Sequence, residues 1–201
     1  MDQLAIKINT EIKNWFSKSI LDWEFDIDYE ILYEALSKFK TDYQRYYPNC
    51  DYIQIEKIRI RVELQSILLY RLSRLYHLEK KNIIAEKLSA LGRFLTGIEI
   101  YYSSDIGNGL KINHGVGTVI GARTVIGDNA LIHQGVTFGD KNGARPVIGK
   151  NVTIYAGAII LGGIYIGDNS LIGANSVVMI DVPDNSVVAG TPGKIIKIEN
   201  K

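Results

Sequence analysis

The chain has 201 residues and a formal charge of +1, with 46% hydrophobic and 22% charged residues. That length allows one large domain or two small ones with a buried core, and no run of like charges points to nucleic acid. Cys50 is the single cysteine, so there is no disulfide framework, and a reducing, cytoplasmic setting fits.

Composition changes near residue 97. Seventeen of the 19 glycines fall in 98–201, which carries 8 basic and 8 acidic residues, whereas residues 1–97 hold the other 29 charges and both tryptophans. This predicts an α-helical region, 1–97, joined without a Pro/Ser linker to a β-structure, 98–201. Residues 1–51 carry a net −4 and residues 52–97 a net +5. Helices of opposite sign that face each other or water account for this.

The opening MDQLAIKINTEIKNWF has charges throughout and no apolar core segment, so a secretory leader is not expected. No apolar run reaches bilayer length. Residues 2–20 read as an amphipathic helix with Leu4, Ile8, Ile12, Trp15 and Phe16 on one face. Asp26 or Asp28 is placed to cap a second helix carrying Ile31, Leu32, Ala35, Leu36 and Phe39, and Tyr47-Pro48-Asn49 breaks it. Residues 55–79 form one long apolar-periodic segment containing His77, which reads as a packing histidine. A last helix, 82–95, ends at Gly97. Ile98-Glu99-Ile100-Tyr101 then alternates like a strand.

From Ile106 onward an aliphatic residue recurs every six positions: Ile106 and Ile112, then Ile120, Ile126 and Ile132, then Ile148, Ile154, Ile160, Ile166, Ile172 and Val178. A helix repeats at 3.6 and a half-buried strand at 2, so a step of six fits neither. It fits a hexapeptide β-helix, whose coils are built from three such units with the aliphatic inward. Gly and Asn follow the aliphatic repeatedly, as in Ile148-Gly149-Lys150-Asn151, and both tolerate the tight corners of a coil. The step breaks twice. It is eight between Ile112 and Ile120, beside His114, and GDKNGARPV interrupts it after Phe138. Insertions in a solenoid gather on a functional face, so both are candidate sites, and the stretch after 148 reads as regular scaffold.

His114 is the candidate general base, since a neutral imidazole can take a proton from a hydroxyl. His133, about one coil later, falls on the same side and reads as structural. Glu99 precedes His114 by 15 residues, near enough to one coil to orient the imidazole and stabilise its charged form. A solvated charge is the competing reading of Glu99.

Residues 64–194, with LLYRLSRLY, GLKINHGVGTVIG, GVTFG and VVAGTPGKI, resemble the serine acetyltransferases of the left-handed β-helix acyltransferase group. The resemblance makes His114 the catalytic base and puts Glu99 where the family has an aspartate. It implies acetyl-CoA as co-substrate, in a groove between neighbouring subunits of a trimer. The matching cofactor positions are Gly139, Ala156, Gly157, Ala174 and Lys194, with Lys194 toward a phosphate. Asn113 replaces the family's acid before the histidine, and its Arg-His-Pro element reads Ala144-Arg145-Pro146. Asn113 and Arg145 are therefore the acceptor-side candidates. The last residues lack the isoleucine-ended tail by which the family docks on cysteine synthase, so docking is not expected.

The sequence thus leads us to expect an α-helical region plus a left-handed parallel β-helix acting as an acetyl-CoA-dependent O-acetyltransferase without a metal. Backbone N–H groups near Gly139 would stabilise the oxyanion. The missing acceptor charges favour a sugar or polysaccharide precursor as acceptor over L-serine. A homotrimer is expected, with pairing of two trimers through the helices left open. A zinc hydratase needs three histidine ligands and the β-region has two. A non-catalytic binding scaffold is the remaining alternative.

Overall fold

The six-residue step builds a coil with three walls. In a computed structural model that describes residues 3–21 and 26–198, fifteen strands, numbered in chain order, stack in three sheets. The first wall holds β1 (Glu99–Ile100), β4 (Val119–Ile120), β7 (Thr137–Gly139), β10 (Ile159–Leu161) and β13 (Val177–Val178). The second holds β2 (Asp105–Ile106), β5 (Val125–Ile126), β8 (Val147–Ile148) and β11 (Tyr165–Ile166). The third holds β3 (Lys111–Asn113), β6 (Leu131–His133), β9 (Thr153–Ile154), β12 (Leu171–Ile172), β14 (Ser186–Ala189) and β15 (Lys194–Ile198). All pairings among β1–β14 are parallel, as in the expected left-handed β-helix.

The inward isoleucines are fully removed from water, with Ile112, Ile120, Ile132, Ile160, Ile166 and Ile172 at 0% exposure. Each contributes about 1.5–3 kcal/mol through burial. At one corner Asn129, Asn151, Asn169 and Asn185 all sit at φ 55–61°, a region Asn enters more easily than most side chains. Their amides form a ladder, each Nδ2 donating to the next Oδ1 at 3.3, 3.0 and 3.2 Å. The same corner needs glycine: a Cβ on Gly149 would stand 2.8 Å from the Asp168 backbone nitrogen.

Among the described residues five helices precede the coil: α1 (Gln3–Ser17), α2 (Tyr29–Gln44), α3 (Ile55–Ile60), α4 (Val62–Leu78) and α5 (Asn82–Thr96). The Asp28 carboxylate caps α2 by accepting from Glu30 N at 2.9 Å, and Gly97 ends α5 at φ 66°. The acidic and basic halves do face each other, through Arg59–Glu11 at 2.6 Å and Arg71–Asp42 at 2.8 Å. Among the described residues no helix is long and apolar enough to cross a membrane.

Two expectations fail. Residues 55–79 are not one helix, because Arg61 is extended (φ −116°, ψ 106°) and separates α3 from α4. There its guanidinium lies over Tyr46 and Tyr47 and its Nε donates to the Tyr47 hydroxyl, contacts that replace one helical turn. The end of the coil is not plain scaffold either, since β15 folds back antiparallel on β14.

The helices close the open foot of the coil. β1, β2 and β3 are edge strands there, with backbone groups that need partners. Ser89 Oγ donates to Ile100 O at 2.9 Å on the first wall. On the second, the Tyr70 hydroxyl donates to Ser104 O at 3.0 Å and accepts from Ile106 N at 3.1 Å. On the third, the Tyr46 hydroxyl bonds both Ile112 O and Ile112 N at 2.8 Å. Arg71 reaches Ile106 O and Gly107 O while holding Asp42, whose Oδ1 accepts from Leu110 N. A single buried cluster runs through helices and coil.

Candidate active site

Corner lengths place the candidate base. Asn113 pairs with His133, and Val119 with Thr137. The corner between β3 and β4 therefore takes residues 114–118, while the one above it takes only 134–136. His114 opens the longer corner at φ 54°, a conformation that histidine enters more readily than most residues. Gly115 lets the chain turn over the core, since a Cβ there would stand 2.6 Å from Ile112 Cγ2 and Ile98 Cδ1. The His114 side chain is exposed, and among the described residues its ring has no hydrogen-bond partner. It is free to meet a hydroxyl.

His133 lies above Asn113 rather than above His114, because that coil is 20 residues long by register. Its ring stacks on Tyr155, 5.0 Å between centroids at 25°. Burial, then the nearby His114, push its pKa below the usual histidine value. Both causes favour its neutral form.

The same corner continues upward through residues that backbone bonds stack in order. Gly135 N donates to Val116 O, Gly157 N to Gln134 O and Asn175 N to Ala156 O. Ala156, Gly157 and Ala174 therefore stand above His114 along one edge of the coil, with Gln134 and Gly135 in the coil between. The structure brings these four together.

Other expected site residues stand elsewhere. Gly139 ends β7 and opens the 140–146 loop, which leaves the corner between the first and second walls. Arg145 is in that loop, 3.8 Å from Asp140, and its Nε is buried with no hydrogen-bond partner. Lys194 starts β15, exposed beside Ala189. Glu99 does not bond the imidazole within the single chain. Its carboxylate lies 3.3 Å from Arg93 Nη1, because the Gly97 turn folds the end of α5 back beside β1 and supplies a local cation.

The pattern of repeats matches two known ones, the bacterial transferase hexapeptide (six repeats) over residues 145–179 and the hexapeptide repeat of succinyl-transferase over residues 117–141. A serine acetyltransferase of Helicobacter pylori is 44% identical over 137 residues, which span 66% of this chain and 80% of that one. The chain belongs to the serine acetyltransferase family. It is an O-acetyltransferase. Two solved serine acetyltransferases share its fold. That of Brucella abortus strain S19, in complex with coenzyme A, superposes with a TM-score of 0.76 at 30% identity, covering 85% of this chain and 72% of that one. That of Neisseria gonorrhoeae, in complex with serine, gives 0.74 at 33% identity, covering 84% and 74%. Membership of the serine acetyltransferases sets aside the zinc hydratase and the non-catalytic scaffold.

One cluster was not foreseen from the sequence: Arg61 and the β3 residue Lys111 both approach the Tyr46 ring. The only sequence signal was the position of Tyr46 just before the Pro48 break.

Proposed function

We propose that this chain is an acetyl-CoA-dependent L-serine O-acetyltransferase with His114 as general base. His114 takes the proton of the acceptor hydroxyl, the oxygen attacks the thioester carbonyl, and the C–S bond breaks. The proton then passes to the departing thiolate of coenzyme A. The observation that carries this reading is an exposed imidazole, without a hydrogen-bond partner, at the foot of the Ala156–Gly157–Ala174 track. The relatives' names support serine as acceptor, and the Brucella complex supports coenzyme A in this fold. The sugar acceptor expected from the sequence finds no support among them.

A neutral polyhydroxyl acceptor stays as the second reading because of Asn113 and Ala144, which remove a candidate anion and a candidate cation. A site that leaves a charged partner unmatched discriminates by on the order of 10⁴. The test is kcat/KM for L-serine beside a panel of sugars, with acetyl-CoA saturating. Serine should lead by at least about a hundredfold; a sugar that leads instead reverses the assignment.

Gly139 and Arg145 reach the His114 track only from a neighbouring copy, because they leave a different corner of the coil. The complete groove is accordingly proposed to form in a homotrimer, with oxyanion donors from the Gly139 loop of a neighbouring subunit.

A further inference from the structure

Three cations surround two tyrosine rings at the foot of β3. Lys111 Nζ lies 5.4 Å from the Tyr46 ring centre, and Arg61 Cζ lies 5.6 Å from the same centre. Arg61 is also 5.7 Å from the Tyr47 ring, which Lys57 Nζ approaches to 5.2 Å. Among the described residues none of the three has an ion-pair partner. The carboxylates whose charge reaches Tyr46 are Glu63 and Asp42. Asp42 is held by Arg71, and Glu63 pairs with neither cation.

This cluster is fastened to the strand that delivers the base. The Tyr46 hydroxyl bonds both backbone groups of Ile112. Lys111 shares the outward side of β3 with Asn113, one residue before His114. Arg61 reaches the cluster only because the chain leaves helical geometry there, between α3 and α4, with no proline or glycine to force it. A local rule broken without a local cause is a mark of a functional position. The loop expected to supply a cation holds Ala144, and its Arg145 is placed against Asp140.

We propose that Arg61 and Lys111 bind the carboxylate of the acceptor and hold its hydroxyl toward His114. The proposal rests on the reading of this chain as a serine acetyltransferase with His114 as base. A guanidinium offers a two-pronged match to a carboxylate and an ammonium adds a point charge. Both cations rest against the Tyr46 ring; Arg61 spends its Nε on the Tyr47 hydroxyl, while its two Nη groups and the Lys111 ammonium have no hydrogen-bond partner among the described residues.

The test is steady-state kinetics with saturating acetyl-CoA and either L-serine or L-serinamide, which keeps the hydroxyl and the amine but has no carboxylate. The proteins are the wild type, R61Q, K111Q and R61K, the last keeping a cation over the Tyr46 and Tyr47 rings. Wild type should prefer serine strongly. R61Q and K111Q should each raise the KM for serine about tenfold or more, with R61K between wild type and R61Q. The KM for acetyl-CoA and the serinamide kinetics should stay near wild type. Unchanged serine KM in R61Q and K111Q, an equal loss with serinamide, or a rise in the acetyl-CoA KM instead overturns the proposal while serine acetylation stands. A wild type that acetylates sugars and not serine overturns both.

Discussion

At the scale of the residue, the proposed function gives the chemistry to His114. It is exposed, holds no hydrogen bond and adopts φ 54°, so its imidazole contributes little to folding. Asparagine tolerates the same backbone, which makes His114→Asn a cleaner variant than His114→Ala. Either should lower kcat by about 10²–10⁴, the usual contribution of general-base catalysis, with the melting temperature and the KM for acetyl-CoA nearly unchanged. Glu99→Gln should lose less, because in the single chain that carboxylate holds Arg93. Steady-state kinetics beside a thermal melt checks this, and a variant that keeps most of its turnover removes His114 from the mechanism. The long corner that His114 opens was legible because two extra residues interrupt a strict step beside it. The Tyr46, Arg61 and Lys111 cluster was not. Its members are far apart in sequence and meet only when α4 docks against the foot of the coil.

At the scale of the element, a six-residue step is so restrictive that the three walls, their inward isoleucines and both interruptions could be read directly. Periodicity has no comparable hold on a helix boundary without proline or glycine, and the break at Arg61 was read as continuous helix. The β14–β15 hairpin was missed for a related reason: Lys194–Ile198 leaves the six-residue step without starting another recognisable one. Nor does any pattern announce that helices close the coil, since single polar side chains do it. Arg71 and Asp42 are the clearest case, with side-chain exposures of 4% and 0%. Removing one member of a buried pair leaves an uncompensated charge and typically costs about 3–5 kcal/mol, whereas replacing both by apolar residues costs far less. Arg71→Met should therefore lower stability by about 3–5 kcal/mol in urea unfolding at fixed protein concentration, and adding Asp42→Leu should recover part of it. A loss under about 1 kcal/mol for Arg71→Met would mean that the joint lies elsewhere.

At the scale of the molecule, the proposed function divides the site between neighbouring copies. His114, Ala156, Gly157 and Ala174 share one corner, whereas Gly139 and Arg145 leave another, with the first wall between them. An outward column on the second wall offers the means of joining copies. Val125, Val147 and Tyr165 stand in register one above the next and are 39%, 40% and 46% exposed in the single chain. Apolar side chains stacked this way mark a surface that another protein covers. On the proposed reading, three copies around a common axis would cover that column and bring each 140–146 loop to a neighbour's His114 corner. Light scattering should then give three times the 22.5 kDa of one chain, or a multiple of that if trimers pair through their helices. Val147→Asp buries an unpaired charge at the centre of the column, so it should shift the mass toward one chain and cut kcat/KM for acetyl-CoA by at least about tenfold. The coil of the separated chains should keep its circular dichroism, because Val147 points away from the isoleucine core. A monomer with full activity would show that each chain holds a complete groove, and the separation of Gly139 and Arg145 from His114 would then have no catalytic meaning.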